Sequence, residues 1–306
     1  MDITMQFFNA LVAYAIPLIP RPLIQKISRR YIAGSTLTTA LARVRQLNAL
    51  GCTVTLDVLG EAISTMEQAK AVADNYIEVL NAVNKHALQA NISIKPSAIG
   101  LLLDTQQCQH LIERILDVAT LHRNAICIDM EDVSCTQKEI ALFADLKTRH
   151  DNIGLALQAY LQRTYQDIAS LALAGNTLRI CKGIYVEDRS HLVSDAWHDR
   201  RAINRHFLSH VAHCFDAGTF VGVATHDAEL IEQVIALAGQ KRIDKKHFEF
   251  QMLLGVCEPL RDKLLGLDFN VRIYVPFGED WYGYSTRRLK ENPRIAGHVI
   301  RAMLGA

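Results

Sequence analysis

The sequence lacks most of the short signatures that announce a function. No two glycines stand one residue apart, so the GxGxxG turn of dinucleotide-binding folds is missing, and so are a P-loop and a GxSxG nucleophile elbow. The seven cysteines form no CxxC pair and their spacing fits no zinc site, which reads as reduced thiols of a cytoplasmic protein. Charge of one sign is missing too. Lys+Arg 33 against Asp+Glu 32 leaves a net charge of +1, which excludes bulk attraction to nucleic acid or anionic lipid. No long hydrophobic run is present. Residues 3–19 carry no charge, but Gln6, Asn9 and Pro17 interrupt them, and they fall short of the roughly 20 apolar residues of a spanning helix. The first basic residue is Arg21, after that run, so a signal-peptide n-region is absent. The run is expected to be a helix packed on the protein's own surface, with an interfacial membrane helix as the alternative.

What is there is rhythm. Short β-branched apolar runs alternate with longer helical patterns. Strands are expected at 52–58, 92–95, 125–130, 153–160, 177–182, 220–226, 247–253 and 270–275. Helical stretches separate them at 61–89, 104–122, 136–150, 162–174, 195–216, 227–239 and 256–265. Eight strands, each followed by a helix, predict an α/β fold of the TIM-type (β/α)8 barrel class. Residues 1–50 are expected as an N-terminal helical arm and residues 51–306 as the barrel, with a final helix capping its active-site face. An open doubly wound sheet is the rival architecture, and it lacks its glycine turn.

Barrel chemistry sits at the C-terminal ends of the strands. There the sequence places Lys95, Asp129, Gln158, Arg179, Lys182-Gly183, Thr225-His226 and Tyr274, each in or just after an apolar run. One buried polar residue is ordinarily a satisfied core group. A set at equivalent positions on different strands points to a site. Alternation puts Asp129 on a face with Cys127, and His226 on a face with Gly222 and Ala224, small residues that suggest space for a ligand. Downstream, Tyr284, Arg287, Arg288 and Glu291 are three or four residues apart, neighbours on one helix surface. Two guanidinium forks can grip one carboxylate, although such a pair is also common on a solvated face.

These residues lie within the strings SIKPSA (93–98), IDMED (128–132), LQAYLQR (157–163) and RICKGIYVED (179–188). VATHD (223–227), FEFQMLLG (248–255), RIYVPFGEDWYGY (272–284) and RRLKENP (287–293) complete the series. As an ordered set over roughly residues 30–295, they resemble the flavin-dependent proline dehydrogenases in their stand-alone bacterial form. The resemblance implies oxidation of L-proline to 1-pyrroline-5-carboxylate, by hydride transfer from the ring carbon next to the amine to N5 of a non-covalent FAD. It implies onward electron transfer to a membrane quinone, with peripheral contact at the inner face of the membrane, and no fused aldehyde dehydrogenase. It gives the proline carboxylate to Lys95, Arg287 and Arg288, and the pyrrolidine ring to Tyr274 and Leu253, with Tyr284 at the same pocket. Asp129 falls beside the substrate, Arg179 at the flavin N5/O4 edge and Gln158 on its pyrimidine side. Met130, Lys182, Gly183, Ile184, Thr225, His226 and Glu291 fall to the FAD, and Glu61 pairs with Arg287 as a gate. The family usually has Ala where this chain has Ile184, which bears on the substrate more than on the cofactor.

Two other classes compete. A Schiff-base lyase would use Lys95 or Lys182 as nucleophile. A barrel that binds a ligand without turnover is the non-enzyme reading. Metal sites at His206, His210 and His213, or at Asp129, Glu131 and Asp132, are disfavoured by the missing third ligand in the first case and by strand alternation in the second.

Overall fold

A computed structural model describes residues 24, 28–60, 63–197 and 199–291, the side chains of 287–291 excepted. Helix α1 (Leu37–Ala49) leads into eight strand–helix units. The strands are β1 (Thr53–Val58), β2 (Ala90–Ile94), β3 (Ile126–Ile128), β4 (Ile153–Gln158), β5 (Thr177–Cys181), β6 (Phe220–Ala224), β7 (Phe248–Leu253) and β8 (Val271–Phe277). The helices between and after them are α2 (Met66–Lys85), α3 (Thr105–Leu121), α4 (Val133–Lys147), α5 (Thr164–Leu171), α6 (Ile203–Asp216), α7 (Ala228–Lys241), α8 (Glu258–Gly266) and α9 (Trp281–Glu291). Every strand pairs in parallel with the next, and β8 pairs with β1, which closes the barrel.

Local chemistry sets these boundaries. A capping box at Thr65 and Gln68 starts α2, and the Asp104, Asp132 and Asp227 carboxylates cap α3, α4 and α7. Five strands, β2 to β6, end one or two residues earlier than the periodicity suggests, β1 and β7 end where it places them, and β8 runs two residues further. Lys95, Asp129, Lys182, Thr225 and His226 therefore stand on the first residues past the strands, at the barrel mouth. Two short 3-10 turns (194–197 and 200–202) replace the first part of the helix expected at 195–216, and a third (189–191) precedes it.

Alternate strand residues face the helices and are apolar. Leu56, Ile92, Ile128, Leu155, Ile180, Val223, Phe250 and Val275 are fully buried, each adding about 1.5–3 kcal/mol. Helix α1 adds Ala40, Leu41, Val44 and Leu47 to this same layer against β1 and β8.

The other face points into the lumen and is polar. Arg179 on β5 bonds Ser93 on β2 and Gln251 on β7, and Tyr274 on β8 bonds Asp129 after β3. Only side chains crossing the interior can join such distant strands. Most barrels of this type fill the lumen with branched apolar residues. Here ionic and amide groups take that place. At the mouth, the start of α9 packs on this rim. Tyr284 and Trp281 meet Ile32 and Leu59, and the Ser28 hydroxyl donates to Ser285 at 2.6 Å. Among the described residues, no helix is long and apolar enough to cross a membrane. The apolar run 3–19 and Glu61 lie outside the described residues.

Candidate active site

The polar side chains of the mouth converge on one carboxylate. Asp129 Oδ1 accepts from the Ser93 hydroxyl at 2.5 Å and from Arg179 Nη1, and Oδ2 accepts from the Tyr274 hydroxyl at 2.6 Å. The Lys95 ammonium lies 3.9 Å from Oδ2 and bonds Asp57 Oδ1 at 2.6 Å. Burial pushes the Asp129 carboxyl up, but Arg179, Lys95 and the two hydroxyls outweigh that and hold it below its ordinary value. Burial also works against the Arg179 charge, and its acidic neighbours, Asp129 among them, more than offset this. The Tyr274 phenol, raised by burial and by Asp129, stays protonated and donates. The Arg179 guanidinium carbon lies 5.5 Å from the centre of the Tyr274 ring.

Lys95, Asp129, Arg179 and Tyr274 thus meet as expected, with two differences. Arg179 and Tyr274 sit inside their strands, below the strand ends. Asp57, which the sequence reading did not single out, also joins the cluster, so that Lys95 faces Asp57 and Arg179 faces Asp129. Arg287, Arg288 and Glu291 lie on α9, with side chains outside the described residues. The gap beside Gly222 holds no ligand space. A Cβ there would lie 2.4 Å from Gln251 Nε2, so the glycine makes room for that amide.

The positions ascribed to the flavin form a second arc. The Gln158 side chain donates from Nε2 to the Glu131 carbonyl at 2.6 Å, while its buried Oε1 has no partner among the described residues. An acceptor held open in this way suits a ring N–H of a bound heterocycle. Gly183 has φ +99°, and a Cβ there would come within 2.2 Å of the Tyr160 ring, so only glycine allows the β5 loop to fold over that ring. Lys182 bonds Asp227 at 2.7 Å. Burial works against the Asp227 charge, but Lys182 and Asn204 outweigh it and hold the carboxyl at about 2. His226 Nε2 accepts the Leu253 N–H at 2.8 Å, which ties the end of β6 to the end of β7. Thr225 is buried, Met130 lies in the main apolar layer, and Ile184 is 40% exposed on the loop after Gly183. Tyr284, ascribed to the substrate pocket, is buried against Ile32 and Leu59 at the rim.

Sequence reasoning missed Asp57, Ser93, Glu249, Gln251 and Glu139. Of these, Glu139 stands apart behind the mouth. It is fully buried, Glu131 N–H donates to its Oε2 at 3.2 Å, and Glu131 in turn accepts from Ser97 N–H at 2.9 Å and from the Ser97 hydroxyl. Ligand atoms of Glu131, Cys135 and Glu139 lie within 4.8 Å of one another. Burial and the nearby Glu131 push the Glu139 carboxyl up to about 10, so it carries a proton and is a poor cation ligand. The folded chain therefore holds a proton that the unfolded chain releases near pH 4.5. Stability falls as pH rises across that window, by up to about 1.4 kcal/mol per pH unit. Glu139→Gln keeps the shape and removes the titration. Unfolding temperatures at pH 6 and pH 9 are expected to differ less for Glu139→Gln than for the unaltered chain; equal differences would refute the assignment.

Comparison with known proteins bears on the family and the fold. Residues 40–301 match the family model described as proline dehydrogenase. Proline dehydrogenase 1 of Bacillus subtilis (strain 168) is 34% identical over 277 residues, 90% of each chain. The proline dehydrogenase of Deinococcus radiodurans is 32% identical over 298 residues, 93% of this chain and 94% of that one. Among solved structures, proline utilization A of Bdellovibrio bacteriovorus, inactivated by N-propargylglycine, superposes with a TM-score of 0.80 at 20% identity. That match covers 88% of this chain but 33% of the larger protein, and it bears on the fold. A closed barrel with this lumen, matched along nearly its whole length, belongs to the proline dehydrogenase family.

Proposed function

We propose that the chain binds FAD non-covalently across the barrel mouth and oxidises L-proline to 1-pyrroline-5-carboxylate, with a membrane quinone as final electron acceptor and peripheral contact with the bilayer. The observation that carries this reading is the Arg179–Asp129–Tyr274 cluster with Lys95 beside it. The flavin, when bound, supplies the hydride acceptor. Arg179 would hold a fixed positive charge beside the flavin and so favour its reduced form. Gln158 offers its open acceptor to the ring edge. Lys95 supplies a cation for the substrate carboxylate, in concert with Arg287 and Arg288 of α9. Asp129, kept charged, orients Tyr274 and Arg179 and leaves proton transfer to other groups.

A Schiff-base lyase fits less well. Lys95 and Lys182 are both bonded to carboxylates, at 2.6 and 2.7 Å, whereas an amine nucleophile needs a free lone pair. Anaerobic titration separates the readings. L-proline is expected to bleach the visible absorbance of FAD-loaded protein, and a soluble quinone to restore it. Flavin that stays oxidised with proline, or a lysine adduct trapped by borohydride, would reject the proposal.

A further inference from the structure

A chain of bonded side chains runs from the closed end of the lumen up to Arg179. At its foot, Arg272 donates to Asn91 Oδ1 at 3.1 Å and to the Val54 carbonyl at 2.9 Å. Its Nε donates to Glu249 Oε1 at 2.5 Å. The same carboxylate oxygen accepts from Gln251 Nε2 at 2.8 Å. Gln251 Oε1 then accepts from Arg179 Nε at 2.7 Å, and Arg179 Nη1 continues to Asp129 and Ser93. Glu249 is 5% exposed and Arg179 7%, while Gln251 and Arg272 are partly buried, so the chain is largely shielded from water, a setting in which charge-assisted contacts gain strength and a lost partner costs more.

The geometry admits one orientation for the Gln251 amide. Its nitrogen faces Glu249, which only accepts, and its oxygen faces Arg179, which only donates. Turning the amide over would set its oxygen against a carboxylate and its nitrogen against a guanidinium. Gly222 is a second, independent mark of the same device. Its backbone has no positive φ, so any residue could stand there, yet a Cβ would lie 2.4 Å from Gln251 Nε2 and 2.8 Å from its Cδ. The glycine serves the amide rather than the backbone.

We propose that Gln251, oriented by Glu249 and seated on Gly222, is a positioning residue that fixes the Arg179 guanidinium against the flavin and thereby sets how readily the flavin accepts electrons. This rests on the flavin reading above. Arg179 is gripped on its Nε edge by Gln251 and on Nη1 by Asp129, so its plane is set from both sides. With the Nε grip lost, a guanidinium on a flexible stem can rotate, and its charge moves away from where the reduced ring carries negative charge.

The test uses full-length, FAD-loaded protein carrying Gln251→Leu, Gly222→Ala or Glu249→Gln, the last of which keeps an oxygen able to accept from both neighbours. Flavin content, midpoint potential, and kcat and KM for proline are measured for each. Gln251→Leu and Gly222→Ala are expected to shift the potential to more negative values and to lower kcat about tenfold or more, with KM changed less than about twofold. Glu249→Gln, which can also present its amide nitrogen and so no longer fixes which way Gln251 faces, should shift the potential in the same direction by a smaller amount. A potential unchanged in whichever of the first two variants folds and loads would overturn the positioning role while leaving the flavin reading intact. Unaltered protein that takes up no flavin would overturn both. A merely structural role would lower unfolding temperature and leave the potential of the loaded protein where it was.

Discussion

Arg179→Met is expected to slow anaerobic reduction of the bound flavin by saturating proline by about 10²–10³-fold, the range seen when one preorganised donor is removed from a developing negative charge. Methionine keeps the length and apolar character of the stem beside the Tyr274 ring, so the lumen need not collapse. What disappears is the cation bonded to Asp129 and Gln251. The loss should appear in the reduction rate constant with little change in proline affinity, because Arg179 is bonded inside the lumen and the proposed reading gives the substrate carboxylate to Lys95, Arg287 and Arg288. Stability provides a second readout. Asp129 lies below its ordinary value in the folded chain, so the cluster contributes stability that is present above the ordinary carboxylate range and lost as pH falls through the folded value. Without Arg179 the folded value rises, and acid unfolding should begin at higher pH. A variant that reduces flavin at the unaltered rate would remove Arg179 from the reaction.

Much of this site could be read from the sequence, and what was missed has a physical pattern. Lys95, Asp129, Arg179 and Tyr274 stood out because each interrupts an apolar run. Asp57, Ser93, Glu249 and Gln251 do the same less visibly. In TVTLDV, ISIK and FEFQML the polar residues fall at every second position, so each strand has one apolar and one polar face. Reading the strands as continuous apolar runs, as a sheet covered on both faces would require, hid the polar lumen. Treating Gly222 and Ala224 as ligand space followed from the same oversight, since only a polar lumen brings Gln251 against Gly222. Strand order and closure were legible because the eight-fold alternation leaves few topologies open. The exact strand ends were not. They depend on where each chain turns out of the ladder, as at Ile128, after which Asp129 N–H still bonds the Ile94 carbonyl at 2.9 Å.

The pairing of Lys95 with Asp57 separates binding from folding. Asp57 is 1% exposed and Lys95 8%, with 2.6 Å between their charged atoms. A buried ion pair contributes little against an apolar replacement of both partners, but removing one partner costs about 3–5 kcal/mol. Lys95→Met is therefore expected to lower the unfolding temperature by several degrees and, on the proposed reading that Lys95 is one of the cations for the carboxylate, to raise KM for proline at least about tenfold. Asp57→Asn combined with Lys95→Met should recover most of the lost stability, because the Asp57 carboxylate no longer needs a counter-charge. Affinity for proline should stay low, since neither asparagine nor methionine supplies a positive charge. The two readouts must therefore part company in the double variant. Recovery of both would make Lys95 a structural counter-ion and leave the substrate carboxylate to other groups. Recovery of neither would mean that the pair is held by more than charge, and that the amide of the asparagine cannot take up the bonds that the carboxylate makes. Thermal unfolding and steady-state kinetics on the unaltered protein, the two single variants and the double variant distinguish these outcomes.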